Sequence, residues 1–193
     1  MKIGVLALQG DFAEHLTMLT QIGAEAVEVR LPEHLDGLDG LIIPGGESTT
    51  IGKLAAAYSL VEPLREFGLQ KAMWGTCAGA IFLSKDIHRR QPLLRLMDIV
   101  VERNAFGRQV DSFEVDLIVP ELLQVDPVDR PYHAIFIRAP LIESVQGDAQ
   151  VLAKLSDGRI VAARQGRMLA TSFHPELTAD DRFHRYFLSL ARL

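Results

Sequence analysis

The chain has 193 residues, 48% of them hydrophobic and 23% charged, a composition that predicts a globular protein with a single domain spanning residues 1–193. Its formal net charge of −5, without any cluster of Lys or Arg, argues against a nucleic-acid partner, and no apolar stretch approaches the length of a membrane span. The single cysteine cannot form an internal disulfide and the first apolar run is too short for a signal-peptide core, so we expect a cytoplasmic protein.

The first half of the chain alternates short apolar runs with segments of helical character. Ile3–Leu8 is a continuous apolar run, typical of a strand buried on both faces, and the spacing of Asp11 and Glu14 predicts a capping box that opens a helix through about Gln21. Further strands are predicted at Ala26–Arg30, Gly40–Ile43 and Lys71–Trp74, and further helices from Ser48 or Thr49 to Tyr58, at Leu60–Phe67 and from Ala78. This alternation predicts right-handed βαβ units and a parallel sheet.

The second half of the chain has mostly strand-like segments separated by short turns. In Asp111–Val119 alternate residues are apolar, which favours an antiparallel strand with one face exposed to water. The chain closes with a predicted helix at Asp180–Leu193, whose stripe of Phe183, Phe187 and Leu190 is expected to pack on the core. The other predicted strands are Asp98–Arg103, Ala134–Arg138, Val151–Leu155, Arg159–Gln165 and Arg167–Ser172. We therefore expect an α/β fold in which helices flank a mainly parallel central sheet and an antiparallel strand layer is added to it.

The only cysteine lies in Gly75-Thr-Cys77-Ala-Gly79, the G-x-C-x-G form of a nucleophile elbow. A strand that turns sharply into a helix holds the middle residue in a strained conformation, and small neighbours let the backbone segments pack closely. The helix dipole favours a thiolate there, and free N–H groups at the helix start can hold an oxyanion. Most unpaired cysteines are small buried hydrophobes, but this context predicts a nucleophile.

A thiol nucleophile needs a base, and His174 in His174-Pro175-Glu176 is the best candidate. Pro175 favours an extended conformation for His174, and residues two apart in an extended segment point the same way, so the imidazole and the Glu176 carboxylate can meet. The competing interpretation is a simple turn before the last helix. We expect most of the other histidines to be solvated or structural: His15, His34, His88, His133 and His184.

A glycine pair in Pro44-Gly45-Gly46-Glu47-Ser48 follows the strand predicted at Gly40–Ile43. Two adjacent glycines permit positive φ angles and a backbone N–H directed into a cleft. Neither G-x-G-x-x-G nor G-x-x-x-x-G-K is present, which argues against a phosphate-binding loop. Glycine pairs are common in plain turns, so this loop alone is a weak signal.

Together, the elbow cysteine, the His-Pro-Glu segment and the Gly-Gly loop resemble the triad glutamine amidotransferases, which release ammonia from the side-chain amide of glutamine. Other segments narrow the resemblance to the glutaminase subunits of pyridoxal phosphate synthase, and this match covers almost the whole chain. The specific segments are Arg103–Glu114 (RNAFGRQVDSFE) and Ile135–Pro140 (IFIRAP). The matching segments that are more generic are Leu6–His15, Leu41–Ile51, Gly75–Ile81 and Ala170–Thr178.

The resemblance implies a role for each matching residue. Cys77 would be the nucleophile, His174 the general base and acid, and Glu176 the group that orients the imidazole. The backbone N–H groups of Gly46 and Ala78 would form the oxyanion hole. The glutamine-binding residues would be Gly46, Glu47, Ser48, Arg103, Ile137 and Arg138. Without the resemblance, a surface ion pair would be the expected role of the two arginines.

The resemblance also implies the substrate and the partner. The substrate would be L-glutamine, no metal or organic cofactor would be needed, and the ammonia would pass to a synthase subunit that builds pyridoxal phosphate. Three alternatives stay open: a cysteine peptidase-like or stress-response protein on a similar sheet, the glutaminase subunit of another amidotransferase, and a catalytically silent scaffold subunit.

Overall fold

The computed structural model describes residues 1–103 and 112–193. Its helices are α1 (Phe12–Gln21), α2 (Ser48–Ala57), α3 (Val61–Gln70), α4 (Ala78–Leu83) and α5 (Arg182–Ala191). Its strands are β1 (Lys2–Leu6), β2 (Glu25–Val29), β3 (Gly40–Ile43), β4 (Ala72–Thr76), β5 (Ser84–Asp86), β6 (Met97–Glu102), β7 (Ser112–Leu117), β8 (Tyr132–Ile137), β9 (Leu141–Val145), β10 (Gln150–Lys154), β11 (Ile160–Gln165) and β12 (Met168–Thr171). Short 3-10 helices lie at Pro32–Leu35, Pro120–Gln124 and Pro175–Leu177.

The main sheet has a parallel half with the strand order β2–β1–β3–β4–β12. Every residue of β3 and β4 is buried, which explains why these strands are short continuous apolar runs. The carboxyl ends of parallel strands meet at one edge of a sheet, where open α/β proteins bind their ligands. The segments that follow β3, β4 and β12 therefore converge at this edge.

Antiparallel strands continue the same sheet beyond β12. β11 pairs with β12, β9 with β11 and β6 with β9, while β10 also pairs with β11 and the short β5 runs parallel to β6. β7 and β8 form a separate two-stranded antiparallel sheet. The predicted fold class, a mainly parallel central sheet with helices and added antiparallel strands, is confirmed, and most of the added strands extend the central sheet.

Apolar side chains pack on both faces of the parallel strands. One hydrophobic cluster joins the strands to α2, α3 and α4, and a second joins them to α1, α5 and the β7–β8 sheet. Within β4, Met73 belongs to the first cluster and Trp74 to the second. Because side chains alternate along a strand, Thr76 faces the same side as Trp74, toward α1 and α5.

Two helix starts differ from the sequence prediction. Asp11 precedes α1 but makes no side-chain cap hydrogen bond, so the predicted capping box is wrong. Helix α2 is capped neither by Ser48 nor by the Thr49 side chain: the Glu47 carboxylate accepts hydrogen bonds from the backbone N–H groups of Thr49 and Thr50. Both carboxylates lie at the edge of the sheet where the segments after β3, β4 and β12 converge.

Across residues 1–103 and 112–193, the helices are too short or too polar to cross a membrane.

Candidate active site

Cys77 lies between β4 and α4 in the strained conformation that a nucleophile elbow requires. Its φ and ψ angles are 47° and −105°, and only 7% of its surface is exposed. A side chain on Gly79 would overlap the Ile43 carbonyl, and one on Gly75 would overlap the Gly79 backbone. The two glycines of G-x-C-x-G are therefore needed because strand and helix approach each other too closely for a Cβ atom.

His174 and Glu176 reach Cys77 because β12 is the parallel neighbour of β4. Thr171, at the end of β12, is in register with Thr76, and the Cys77 N–H donates to the Thr171 carbonyl over 2.8 Å. The His174 Nδ1 atom lies 2.7 Å from Glu176 Oε1, and both residues are buried. The structure therefore brings together the three residues that the sequence singled out.

The electrostatics of this group favour a protonated imidazole beside the sulfur. Burial disfavours a charged imidazole, but hydrogen bonds to Cys77 and Glu176, together with their negative charges, outweigh burial and raise the pKa of His174 to about 10. Burial raises the pKa of the Glu176 carboxyl, and its hydrogen bond to His174 opposes that shift. A thiolate next to an imidazolium is the form of a cysteine–histidine pair that is ready for nucleophilic attack.

The Gly-Gly loop lies directly beside the imidazole. A Cβ atom on Gly45 would lie 2.5 Å from His174 Cε1, and the Gly45 carbonyl accepts from the Asp11 N–H over 3.1 Å. Gly46 has a φ angle of 150°, and the next N–H, that of Glu47, donates to Gln9 Oε1 over 2.7 Å. Within the described residues the Gly46 N–H makes no hydrogen bond, so it is available to a ligand.

Glu47, Ser48 and Arg103 form one polar cluster next to this loop. Arg103 Nη2 donates to Glu47 Oε1 over 2.9 Å, and Arg103 Nη1 donates to Thr49 Oγ1 and Gln91 Oε1 over 3.0 and 3.1 Å. Gln91 Nε2 in turn donates to Ser48 Oγ over 3.3 Å. Burial opposes ionisation of Glu47, but hydrogen bonds from Thr50 and from backbone N–H groups lower the pKa of Glu47 to about 2. Arg103 is therefore held in place by its neighbours.

Ile137 and Arg138 lie at the end of β8, and no hydrogen bond within the described residues joins them to Cys77, His174 or Glu176. Arg138 is exposed and has a φ angle of 42°. β8 is nevertheless next to the triad segment, since the His174 N–H donates to a β8 carbonyl over 2.8 Å. Most of the sequence segment at 103–114, namely residues 104–111, lies outside the described residues.

Asp11, His174 and Glu176 each offer a ligand atom within 4.8 Å of the others, a spacing that could hold a metal ion. Asp11 Oδ2 lies 3.6 Å from His174 Nδ1, the same nitrogen that bonds to Glu176. The His174 N–H lies between the two carboxylates and supplies positive charge and a hydrogen-bond donor to them, so this group of side chains does not require a metal ion.

The chain matches one family model over almost its whole length: residues 5–192 match the SNO glutamine amidotransferase family. The chain belongs to this family.

Relatives of this SNO-family chain share its full length. It is 57% identical to a protein of Roseiflexus sp. (strain RS-1) named pyridoxal 5'-phosphate synthase subunit PdxT, over 98% of this chain and 100% of the relative. A protein of the same name from Dehalococcoides mccartyi is 56% identical, over 100% and 98% of the two chains. A solved structure titled as a glutamine amidotransferase is 53% identical, has a TM-score of 0.91 and covers 99% of both chains.

Two further histidines lie beside Glu176 in this SNO-family chain, and the sequence did not predict their position there. His15 and His184, expected to be solvated or structural, are both completely buried, and His15 Nε2 lies 3.3 Å from Glu176 Oε2. Their helices meet across the second hydrophobic cluster. The one signal in the sequence was the regular spacing of His15 on the inward face of α1 with Met18 and Leu19, which are buried with it.

Proposed function

We propose that this chain is the glutaminase subunit of a pyridoxal 5'-phosphate synthase. It hydrolyses L-glutamine to L-glutamate and ammonia and passes the ammonia to a synthase subunit. The observation that carries the proposal is the buried hydrogen bond of 2.7 Å between His174 and Glu176, placed against the elbow cysteine by two neighbouring strands. The full-length similarity to proteins named as pyridoxal 5'-phosphate synthase subunits supports this choice of synthase.

In the proposed reaction, the Cys77 thiolate attacks the carboxamide carbon of glutamine and the carbonyl oxygen becomes an oxyanion. The Gly46 N–H, which has no partner within the described residues, and the Ala78 N–H, which as the first of its helix has no partner within that helix, are the proposed donors to this oxyanion. The carbon–nitrogen bond breaks as His174 delivers a proton from Nε2 to the leaving ammonia. A glutamyl thioester stays on Cys77.

In the second half of the reaction, His174 acts as a base. Its Nε2 atom, now without a proton, takes one from water while the water oxygen attacks the thioester carbon. The carbon–sulfur bond then breaks, releasing glutamate and restoring the thiolate. Glu176 holds Nδ1 throughout, so that Nε2 is the nitrogen that exchanges protons. Each step uses this chain's own residues and water, so the proposal needs no metal or organic cofactor.

The polar cluster beside the loop is the proposed binding site for the rest of glutamine. Arg103 carries a positive charge next to the cleft and fits the α-carboxylate, and the Glu47 carboxylate beside it fits the α-ammonium group. Gly46, Ser48, Ile137 and Arg138 complete the proposed glutamine contacts. Of these, Ser48 is buried and Gly46 exposed.

The partner in this proposal follows from the chemistry of the product. Ammonia becomes protonated in water and loses its nucleophilicity, so a shielded path to a synthase subunit preserves it. We also propose a cytoplasmic location, supported by the unpaired thiol of Cys77, which an oxidising compartment would threaten.

The test is glutamine-dependent ammonia release, measured with and without the synthase subunit, for the wild type and for Cys77→Ala. We expect the substitution to abolish hydrolysis and to leave pyridoxal phosphate synthesis intact when ammonium salts replace glutamine. Ammonia release by purified Cys77→Ala would contradict the mechanism. A glutamine-like electrophile followed by mass spectrometry separates a glutaminase, labelled at Cys77, from a silent scaffold, which would stay unlabelled even with the partner present.

A further inference from the structure

Behind Glu176, on the side away from His174, lies a buried pair of histidines. His15 Nε2 is 3.3 Å from Glu176 Oε2 and 3.3 Å from Thr76 Oγ1, and His15 Nδ1 is 2.9 Å from His184 Nε2. Trp74 packs edge-on against both imidazole rings, with ring centroids 5.7 and 4.9 Å away. Two polar rings are therefore held in an apolar layer directly behind the carboxylate that orients the base.

The two carboxylate oxygens of Glu176 differ: one accepts a hydrogen bond, and the other, which we call the open oxygen, does not. Oε1 accepts from His174, whereas Oε2 is buried and has no partner with good hydrogen-bond geometry within the described residues. The 3.3 Å contact with His15 Nε2 is long for an N–H···O bond. Catalytic hydrogen bonds are often long in ligand-free proteins and tighten when substrate binds.

Both histidines are neutral. Burial lowers the pKa of His184 to about 3, and burial together with the neighbouring His184 and His174 lowers the pKa of His15 well below its ordinary value. Each ring therefore carries one N–H, and one proton lies between His15 Nδ1 and His184 Nε2. The position of that proton decides what His15 presents to Glu176.

If His15 Nδ1 donated to His184, the His15 Nε2 lone pair would face the Glu176 carboxylate and the His184 Nδ1–H would be a buried donor without a partner. If His184 Nε2–H donates to His15 Nδ1, then His15 Nε2–H is a donor with two acceptors at 3.3 Å, Thr76 Oγ1, which has hydrogen-bond geometry in the ligand-free protein, and Glu176 Oε2, which it would reach by a small rotation. Only a lone pair on His184 Nδ1 is then unmatched, and this atom is indeed buried without a partner within the described residues. The second arrangement is favoured because an orphaned donor facing no acceptor costs more than an unused lone pair.

We propose, resting on the glutaminase function above, that His15 and His184 are positioning residues that extend the triad: His184 fixes the tautomer of His15, and His15 donates to the open oxygen of Glu176. The hydrogen bonds then run in one direction, from His184 to His15 to Glu176, with His174 donating to the other oxygen. Donors aligned in this way polarise one another and hold Glu176 ionised and immobile.

Other titratable groups also face Glu176 within the described residues, and they set the background for any pH test. Asp11 lies before α1 and Tyr132 on β8, and His174, which also contacts Cys77, completes the group. Asp11 repels a charged Glu176, so it acts against ionisation of that carboxyl. The donor from His15 opposes Asp11, and its removal should shift the balance toward a protonated Glu176.

The test compares His15→Gln, whose amide nitrogen replaces Nε2–H, with His15→Asn, whose shorter amide replaces only Nδ1. With the synthase subunit present, we expect His15→Asn to lower kcat about tenfold to a hundredfold with little change in KM. We also expect the acid limb of its pH profile to move to higher pH, because loss of a donor raises the pKa of a carboxylate. His15→Gln should restore part of the rate and the position of the limb. His184→Gln and His184→Asn form a second pair with the same expectation, and exposed His34→Asn is the control.

The pH dependence of Cys77 alkylation by iodoacetamide is measured on the same variants, because it does not require glutamine. If the wild type released no ammonia, the proposed function would fail, while the alkylation profile would still test the coupling. If the Gln and Asn variants lost kcat equally and the acid limb of the pH profile did not move, both histidines would act only through packing, and the proposal would be wrong. A wild-type rate and profile in His15→Asn would overturn the proposal outright.

Discussion

Gly45 and His174 are in direct contact: a Cβ atom on Gly45 would lie 2.5 Å from Cε1 of the imidazole and 3.0 Å from Nδ1. The loop after β3 therefore forms one wall of the pocket that holds the His174 imidazole, although β3 and β12 are separated by β4 in the sheet. The pairing of His174 with Glu176 depends on this wall because nothing larger than a hydrogen atom fits there.

We expect Gly45→Ala to displace His174 and to lower kcat about a hundredfold, since a misplacement of about 1 Å costs roughly that much. Steady-state glutaminase kinetics measure the effect. Gly158→Ala is the matched control, because a Cβ atom there meets nothing within 4 Å. It should cost some stability through its φ angle of 88° and leave kcat unchanged. Full activity of Gly45→Ala would mean that the loop and the imidazole are not in contact during the reaction.

His174→Asn and Glu176→Gln should differ in kind. We expect His174→Asn to be nearly inactive, since an amide cannot replace the imidazole as a base; wild-type activity would assign the base elsewhere, with His15 or His133 the next candidates. Glu176→Gln should retain more activity, because an amide can still contact Nδ1. Removing the carboxylate charge also lowers the pKa of His174 from about 10, so the protonated imidazole is lost at lower pH and the basic limb of the pH profile moves down. A basic limb that stays in place in Glu176→Gln would show that the carboxylate does not control the charge of the base.

Arg103 should act on substrate binding more than on chemistry. We expect Arg103→Ala to raise KM about tenfold to a hundredfold with a smaller effect on kcat, the usual worth of a hydrogen bond to a charged group. Gln91→Ala, which removes one acceptor of Arg103 Nη1 and the donor to Ser48 Oγ but leaves the Arg103 charge in place, should raise KM less. A large fall in kcat at unchanged KM would place Arg103 in the chemical step instead.

The buried histidines should make the folded protein sensitive to mild acid. Because the pKa of His184 is lowered to about 3, its stabilising contribution is full above its ordinary pKa of 6.5 and is lost as the pH falls. We expect the free energy of unfolding to fall by about 1.4 kcal/mol per pH unit below pH 6.5 for each such histidine. His174, with its raised pKa, does not contribute in this range, since it is protonated in both states. Urea unfolding at several pH values gives the free energy of unfolding as a function of pH. In His184→Gln this free energy should fall less steeply as the pH is lowered than in the wild type. The same slope in both proteins would contradict the burial of His184 as a neutral group.

Much of the fold was predictable because its signals are local. Runs such as Gly40–Ile43 are apolar throughout, and a strand buried on both faces needs no partner to be recognised. Cys77 was predictable for a related reason: Gly75 and Gly79 mark a turn in which strand and helix are too close for a Cβ atom, and this mark is local in the sequence. His174 and Glu176 followed from the chemical needs of a thiol, but the extended segment expected to align them is wrong: His174 has φ and ψ angles of −106° and 86°, and Glu176 lies in the 3-10 helix Pro175–Leu177, whose turn brings the carboxylate back to the imidazole.

The rest of the site depends on residues that are distant in sequence. Glu47 caps α2 although the hydroxyl residues after it have the better cap propensity, because its carboxylate also pairs with Arg103. Asp11 gives up a helix cap and lies near His174. The short strands Ser84–Asp86 and Leu141–Val145 were missed because their polar residues obscure a strand pattern, and they become strands by pairing with β6 and, for Leu141–Val145, also with β11.

The position of β12 in the sheet has a consequence for the newly made chain. This strand lies between β4 and β11, so it joins the parallel strands made first to the antiparallel strands made later. The segment that follows β12 carries His174, the proposed base, while the elbow cysteine belongs to the earlier part. A ribosome-bound chain that stops before β12 thus has Cys77 without His174. Its parallel strands and its antiparallel strands also lack the strand that joins them. In the proposed function, release of ammonia therefore requires β12 to be in place between the two parts of the sheet.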